Sequence, residues 1–174
     1  METPSTLSGV MEMHKKKLML FGRERLFIDR EDIWGESVAA FKNPKFRVTA
    51  APRVVFEGEP GIDGGGLSKE FGSLLRDKIF STETNLFEGI EERKMPVYSV
   101  EGIHSRLFEL AGKMVSYLLI HLDIGIPLLS PAIYQYMLEG SLEDAYRLCS
   151  IDDICDYELQ ELMRKVREVK IYCL

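Results

Sequence analysis

The segment Gly61 to Phe71, GIDGGGLSKEF, constrains the fold of this chain more than any other. Before it, Arg53 to Glu57 is rich in β-forming residues, with Val54 and Phe56 in alternation. After it, Leu67, Phe71, Leu74, Leu75 and Ile79 recur at three- and four-residue steps, the spacing of one helix face over Ser68 to Phe80. A period that changes from two to 3.6 across a glycine run reads as a strand-to-helix junction. Gly64, Gly65 and Gly66 supply positive φ or tight backbone approach. Asp63 is placed to hydrogen-bond locally, and Phe71 anchors the following helix.

A glycine run after a strand also invites a phosphate-binding reading, which residue order rejects. The phosphate loop needs a Lys directly after its last Gly, to reach the phosphates, and then a hydroxyl for the metal. Here Gly66 is followed by Leu67, Ser68 and Lys69. The dinucleotide pattern fails too, because Lys69 stands where its last Gly belongs. No cofactor is expected.

Residues 1–24 have no steady period and read as a loosely ordered leader, with 25–174 as the folded part. Arg25 to Ile28 reads as a short strand, and Asp29 can cap a helix carrying Ile33, Trp34, Val38 and Phe41. Asn43-Pro44 closes that helix. Phe46 to Ala50 and Arg53 to Glu57 read as extended segments around an Ala51-Pro52 turn. Leu107, Leu110, Ala111, Met114, Val115, Leu118, Leu119 and Leu122 keep a strict helical period and predict a core helix that Gly125 and Pro127 end. Ser130-Pro131, Ser141 with Asp144, and Ser150 with Asp153 are helix-start signals. The fold class is therefore α+β, predominantly helical, with a few short strands.

Of the 174 residues 45% are apolar, enough for a packed core, and the formal net charge of -6 argues against nucleic-acid binding. The short basic cluster Lys15-Lys16-Lys17 reads as a solvated turn or a weak localisation signal. No run approaches the ~20 apolar residues of a membrane helix. These features, with no secretory pattern at the N-terminus, point to a soluble intracellular protein.

Cys149, Cys155 and Cys173 form an odd set with no close pair, which disfavours a disulfide framework or a zinc knuckle. Cys149 and Cys155 sit among apolar neighbours and read as small buried hydrophobes. His14, His104 and His121 supply possible partners for a thiol, but no local pattern marks a reactive one; His121 reads as an interaction with the end of its own helix. The pairs Glu91-Glu92 and Asp152-Asp153 read as solvated or capping groups, since helix neighbours do not face one another. No catalytic or metal residue is assigned.

In order, these blocks resemble the HECT-type ubiquitin-protein ligase domain. Val54 to Phe71, VVFEGEPGIDGGGLSKEF, is similar to that family's strand, Gly-Glu step, Gly-x-Asp-Gly-Gly turn and helix opening with a basic residue, Glu70 and an aromatic. Phe27 to Phe41, Leu86-Phe87-Glu88, and Phe108 to His121 with Gly112 resemble further elements. Leu128 to Leu159 is similar to the next helices, and its Leu129-Ser130-Pro131-Ala132 wording leans toward the divergent G2/M-phase-specific branch.

The resemblance covers roughly residues 25–165. It implies the first part of an N-terminal lobe, with Asp63, Gly64, Gly65, Gly66, Glu70 and Phe71 as a structural signature. The family transfers ubiquitin through a cysteine thioester, splitting one acyl transfer into two steps. Its partners are a ubiquitin-conjugating enzyme and ubiquitin. None of the three cysteines here stands in the family's Thr-Cys context, so no catalytic role passes to them. The alternatives are a non-catalytic, lobe-only binding protein of the ubiquitin pathway and a generic helical adaptor unrelated to ubiquitin.

Overall fold

The computed structural model describes residues 6–17, 22–61, 63–90 and 92–171. In chain order its named elements are α1 (Leu7–Lys17), β1 (Arg23–Ile28), α2 (Ile33–Lys42), β2 (Ala51–Phe56), α3 (Gly66–Ile79), β3 (Phe87–Glu88), β4 (Met95–Pro96), α4 (Val100–His104), α5 (Leu107–Leu122), α6 (Pro131–Glu139), α7 (Leu142–Tyr146) and α8 (Tyr157–Ile171). They form two compact units. The first holds Met1–Ile79 with Glu101–Gly125, and the second holds Phe80–Val100 with Ile126–Leu174.

In the first unit β1 and β2 lie parallel, with Leu26 opposite Val54 and Ile28 opposite Phe56. Parallel neighbours need a long crossover, and here α2 lies within it. Alternation buries Leu26, Ile28, Val54 and Phe56 on one face of the pair. Helices α2, α3 and α5 pack on one another, and α3 packs on β2. Phe71, Leu75, Ile79, Met114 and Leu118 are wholly buried at the centre. A Cβ built on Gly72 falls 2.4 Å from Ile124 Cδ1 and 2.7 Å from Leu122 Cδ1, so this glycine sets how closely α3 approaches the end of α5.

Two local expectations fail for identifiable reasons. Phe46 to Ala50 is not extended but turned, with Phe46 N bonded to Asn43 O and Ala50 N to Arg47 O. Phe46 instead joins an aromatic cluster, its ring 4.6 Å from Phe41 and 5.6 Å from Tyr117. The buried Tyr117 hydroxyl donates to Ala50 O at 2.9 Å and fixes that turn. The Ala51-Pro52 turn is likewise absent, because Pro52 lies within β2. In a two-stranded sheet every strand is an edge strand, where a missing amide donor is tolerated.

Capping accounts for most helix ends. Asp29 caps a short 3-10 turn (Arg30–Asp32), and Asp32 then accepts from Gly35 N at 2.9 Å to start α2. Helix α5 spans the expected residues, but it stops at Asp123, whose φ of 57° breaks the ladder before Gly125. The leader contains α1, and Lys15 reaches Asp123 at 2.6 Å. Among the described residues no helix is long and apolar enough to cross a membrane.

In the second unit β3 and β4 form a short antiparallel pair, and Lys94 bridges in parallel to Leu129. Ser130 caps α6 with Pro131 at its first position, and Gly140 ends it at φ 68°. Ser141 caps α7 through Asp144 N. Ser150 and Asp153 make a reciprocal capping box, but on a 3-10 turn (Ile151–Asp153); Asp156 starts α8 by accepting from Leu159 N at 3.0 Å.

One buried group lacks a partner. Ser37, wholly buried on α2, has a hydroxyl with no hydrogen bond among the described residues. Burying an unpaired hydroxyl costs about 1–3 kcal/mol, and Ala is also the better helix former. Ser37→Ala is expected to raise unfolding free energy by about 1 kcal/mol in urea denaturation. A loss of that size would mean the hydroxyl is bonded.

Candidate functional site

The Gly61 to Phe71 junction is built around the Asp63 side chain, which is 5% exposed. Oδ2 accepts from Val54 N at 2.9 Å, on the strand that precedes the turn. Oδ1 accepts from Gly65 N at 2.8 Å and from Ser68 N at 3.3 Å, in the turn and at the start of α3. The Ser68 hydroxyl also lies against Oδ2 and 3.3 Å from Pro52 O. One carboxylate thus caps a helix and occupies an amide of β2.

Burial by itself pushes the Asp63 carboxyl up. The hydrogen bonds from the Ser68 hydroxyl and from the amides of Gly65, Val54 and Ser68 outweigh it and hold the group below the ordinary carboxylate range.

The signature residues divide by role. Gly65 has φ 109°, a value that side-chain-bearing residues rarely adopt. No described atom lies within 4 Å of a Cβ built on Gly64, Gly65 or Gly66, so the run serves backbone conformation at Gly65 and not close packing. Phe71 is wholly buried. Glu70 faces outward and pairs with Arg30 Nη1 at 2.8 Å, while Arg30 Nη2 reaches Glu59 at 3.1 Å. The guanidinium also lies 3.8 Å above the Phe56 ring. Arg30 holds the Glu70 carboxyl below its usual range, and Glu59 and then Glu70 raise Arg30.

Each described thiol points to a backbone carbonyl and not to a histidine. Cys149 and Cys155 are exposed, which corrects the expectation of buried small hydrophobes. Cys149 follows α7, where its sulfur points back to Ala145 O at 3.8 Å. Cys155 lies in the link before α8, near Gly89 and 3.7 Å from Asp153 O. Desolvation of its sulfur and the nearby Glu88 push its thiol up, opposite to what activation requires. Cys173, Ile62 and Glu91 lie outside the described residues. His121 does not bond to its own helix end: Nε2 is 2.9 Å from Val48 O, and burial lowers its pKa. Among the described residues no cluster of His, Cys, Asp or Glu is suited to a metal ion.

Asp153 does more than the capping its spacing predicts. It caps Ser150 N at 2.7 Å and also pairs with Arg93 Nη1 at 2.7 Å, with its side chain 7% exposed. Burial raises its carboxyl, while bonds from Ser130, Ser150 and Arg93 lower it further. The Ser150 cap spacing was visible in sequence; the partner 60 residues away was not.

Asp63 yields a signed pH prediction. Its folded pKa is depressed, so its contribution to stability is present above the unfolded value of about 3.9 and is lost as pH falls through the folded value. Asp63→Asn is expected to be less stable than wild type by about 2 kcal/mol near neutrality, and the gap should shrink below about pH 4. Denaturant titrations across that range check it, and a gap independent of pH would refute the role of the charge.

Over most of its length the chain is similar to E3 ubiquitin-protein ligases. It is 25% identical to the G2/M phase-specific E3 ubiquitin-protein ligase of Homo sapiens, over 82% of this chain and 20% of that protein. It is 31% identical to the probable E3 ubiquitin-protein ligase mug30 of Schizosaccharomyces pombe, over 75% of this chain and 15% of the relative. It is 27% identical to the probable E3 ubiquitin-protein ligase HERC4 of Homo sapiens, over 76% and 13%. No family model matches the chain. The chain therefore spans a fifth or less of the length of these relatives, and its likeness is to part of an E3 ubiquitin-protein ligase.

Proposed function

We propose that this chain is a scaffold segment of a HECT-type ubiquitin-protein ligase, the first part of the N-terminal lobe, and that it supplies no nucleophile. The observation that carries the reading is the Asp63-centred junction, where the family-like Gly-x-Asp-Gly-Gly wording coincides with a strand, a helix and a saturated carboxylate. The E3 ligase names of the relatives support it.

In this reading ubiquitin passes as a thioester from a conjugating enzyme to a cysteine elsewhere in a longer protein, and then to a substrate lysine. The raised thiol of Cys155 suits a segment that holds shape and does no acyl transfer. An apolar stripe on α8, formed by Leu159, Leu162, Met163 and Val166 at helical spacing, suits a segment that packs against more protein. The reading assigns the chain to the cytoplasm or nucleus, with a conjugating enzyme and ubiquitin as partners of the whole ligase. A lobe-only binding protein of the same pathway is the second reading, favoured by the same raised Cys155 thiol.

Incubation with activating enzyme, charged conjugating enzyme and ubiquitin should give no thiol-sensitive adduct on non-reducing gels. An adduct lost in Cys149→Ser or Cys155→Ser would overturn the site reading. A chimera tests the positive side: this chain replaces the matching segment of the human G2/M phase-specific ligase. Retained ubiquitin transfer is expected, and a folded but inactive chimera would favour the binding protein.

A further inference from the structure

The face of the β1–β2 pair opposite the core has a composition that packing does not explain. Register places Arg23 opposite Ala51, Arg25 opposite Arg53 and Phe27 opposite Val55, all on this face by the alternation of the strands. It thus carries three arginines, an aromatic ring that is 57% exposed, and no acidic residue. Like charges directly opposite on neighbouring strands repel, so the Arg25–Arg53 pair weakens the sheet it sits on. Neither arginine, nor the Arg23 guanidinium, has an ion-pair partner among the described residues. Glu24 and Glu36 line a neighbouring cavity with Arg25 and Phe27, and Glu24 is held there by Arg47 at 2.8 Å.

Arg25, Phe27, Arg53 and Val55 line a cavity of about 180 Å³, bounded by Gly61 and Asp63. The Asp63 carboxylate there is already committed to the amides of Val54, Gly65 and Ser68 and to the Ser68 hydroxyl, so it leaves the arginines unneutralised. The cavity is smaller than the roughly 300–1,000 Å³ of small-molecule sites and suits a single side chain. Guanidinium pairs recognise carboxylates through paired N–H donors. The exposed Phe27 ring offers apolar contact one register step away along the face.

We propose that this sheet face docks an acidic, extended segment of a partner protein, with one carboxylate between Arg25 and Arg53 and a neighbouring apolar side chain on Phe27. Charge complementarity selects that occupant. The patch is a local cation on a chain of net charge -6, which disfavours a long polyanion such as nucleic acid and suits a short acidic stretch. The surface is independent of the ligase reading and goes beyond it.

The test uses the whole chain and a fluorescein-labelled Glu-Glu-Leu repeat peptide in fluorescence anisotropy, with a Lys-Lys-Leu repeat as control. The acidic peptide should bind, weaken with added salt, and lose about tenfold or more in affinity in Arg25→Glu and in Arg53→Glu. Phe27→Ser should lower affinity while leaving the salt dependence unchanged. Arg147→Glu, at the exposed arginine that caps the C-terminal end of α7, should leave binding intact.

If a charge reversal unfolds the protein, Arg25→Ala and Arg53→Ala decide the matter. Relief of like-charge repulsion should give them thermal midpoints no lower than wild type. No binding, equal loss in Arg147→Glu, or indifference to the Arg25 and Arg53 variants would overturn the proposal. Tighter binding of single-stranded RNA or of phosphatidylserine vesicles than of the acidic peptide would overturn it as well.

Discussion

The first unit depends on one buried carboxylate. Asp63 accepts from an amide of β2, from the turn and from Ser68 in the first turn of α3, so a single side chain ties the start of the helix to the strand. Once α3 starts there, its period carries Phe71 and Leu75 into the core and Gly72 against the end of α5. Apolar burial supplies most of the driving force for such packing, but it has no direction. The carboxylate supplies the direction. Its desolvation is offset only while the surrounding donors stay in place, which makes the junction an all-or-none arrangement.

The second unit repeats the device with a different sequence. Asp153, nearly as buried, joins the Arg93 guanidinium, the Ser150 amide and Ser130. In both places hydrogen bonds outweigh burial and keep the carboxylate ionised. A general base or acid in a cleft has the reverse character: its pKa lies near the working pH and part of its hydrogen-bonding capacity is open to substrate. Two saturated, ionised aspartates therefore serve the fold of their units, and the Cys155 thiol, pushed up, is likewise not poised for attack.

Sequence revealed what depends on local period and local caps. The α5 span follows from eight apolar positions, and the start of α6 from Ser130-Pro131. The strand-to-helix change at the glycines was legible for the same reason. Features set by distant partners were hidden. Phe46 and Val48 alternate as a strand would, yet Phe46 is drawn to Phe41 and Tyr117, and the turn it sits in is held by a hydroxyl 67 residues away. Asp63 was expected to bond locally, and it does, but its bond to Val54 gives the junction its meaning. A glycine run is compatible with positive φ or with close packing, and of these only φ at Gly65 is realised. Cys149 and Cys155 misled because apolar neighbours in sequence do not bury a side chain at the end of a short helix or in a linker.

Helix α8 separates orientation from burial. A helix of 15 residues is marginal alone, so something must hold it. What holds it is polar and lies near its start. Asp156 caps Leu159 N, the Gln160 amide donates to Ile151 O and Ile154 O, and Arg164 pairs with Asp152 at 2.9 Å. These bonds point the helix without using its apolar side, and Leu162 and Val166 remain more than half exposed. In the first unit the carboxylate and the apolar face act together, and the result is a closed core. Here the polar half of that arrangement is complete while the apolar half is presented outward.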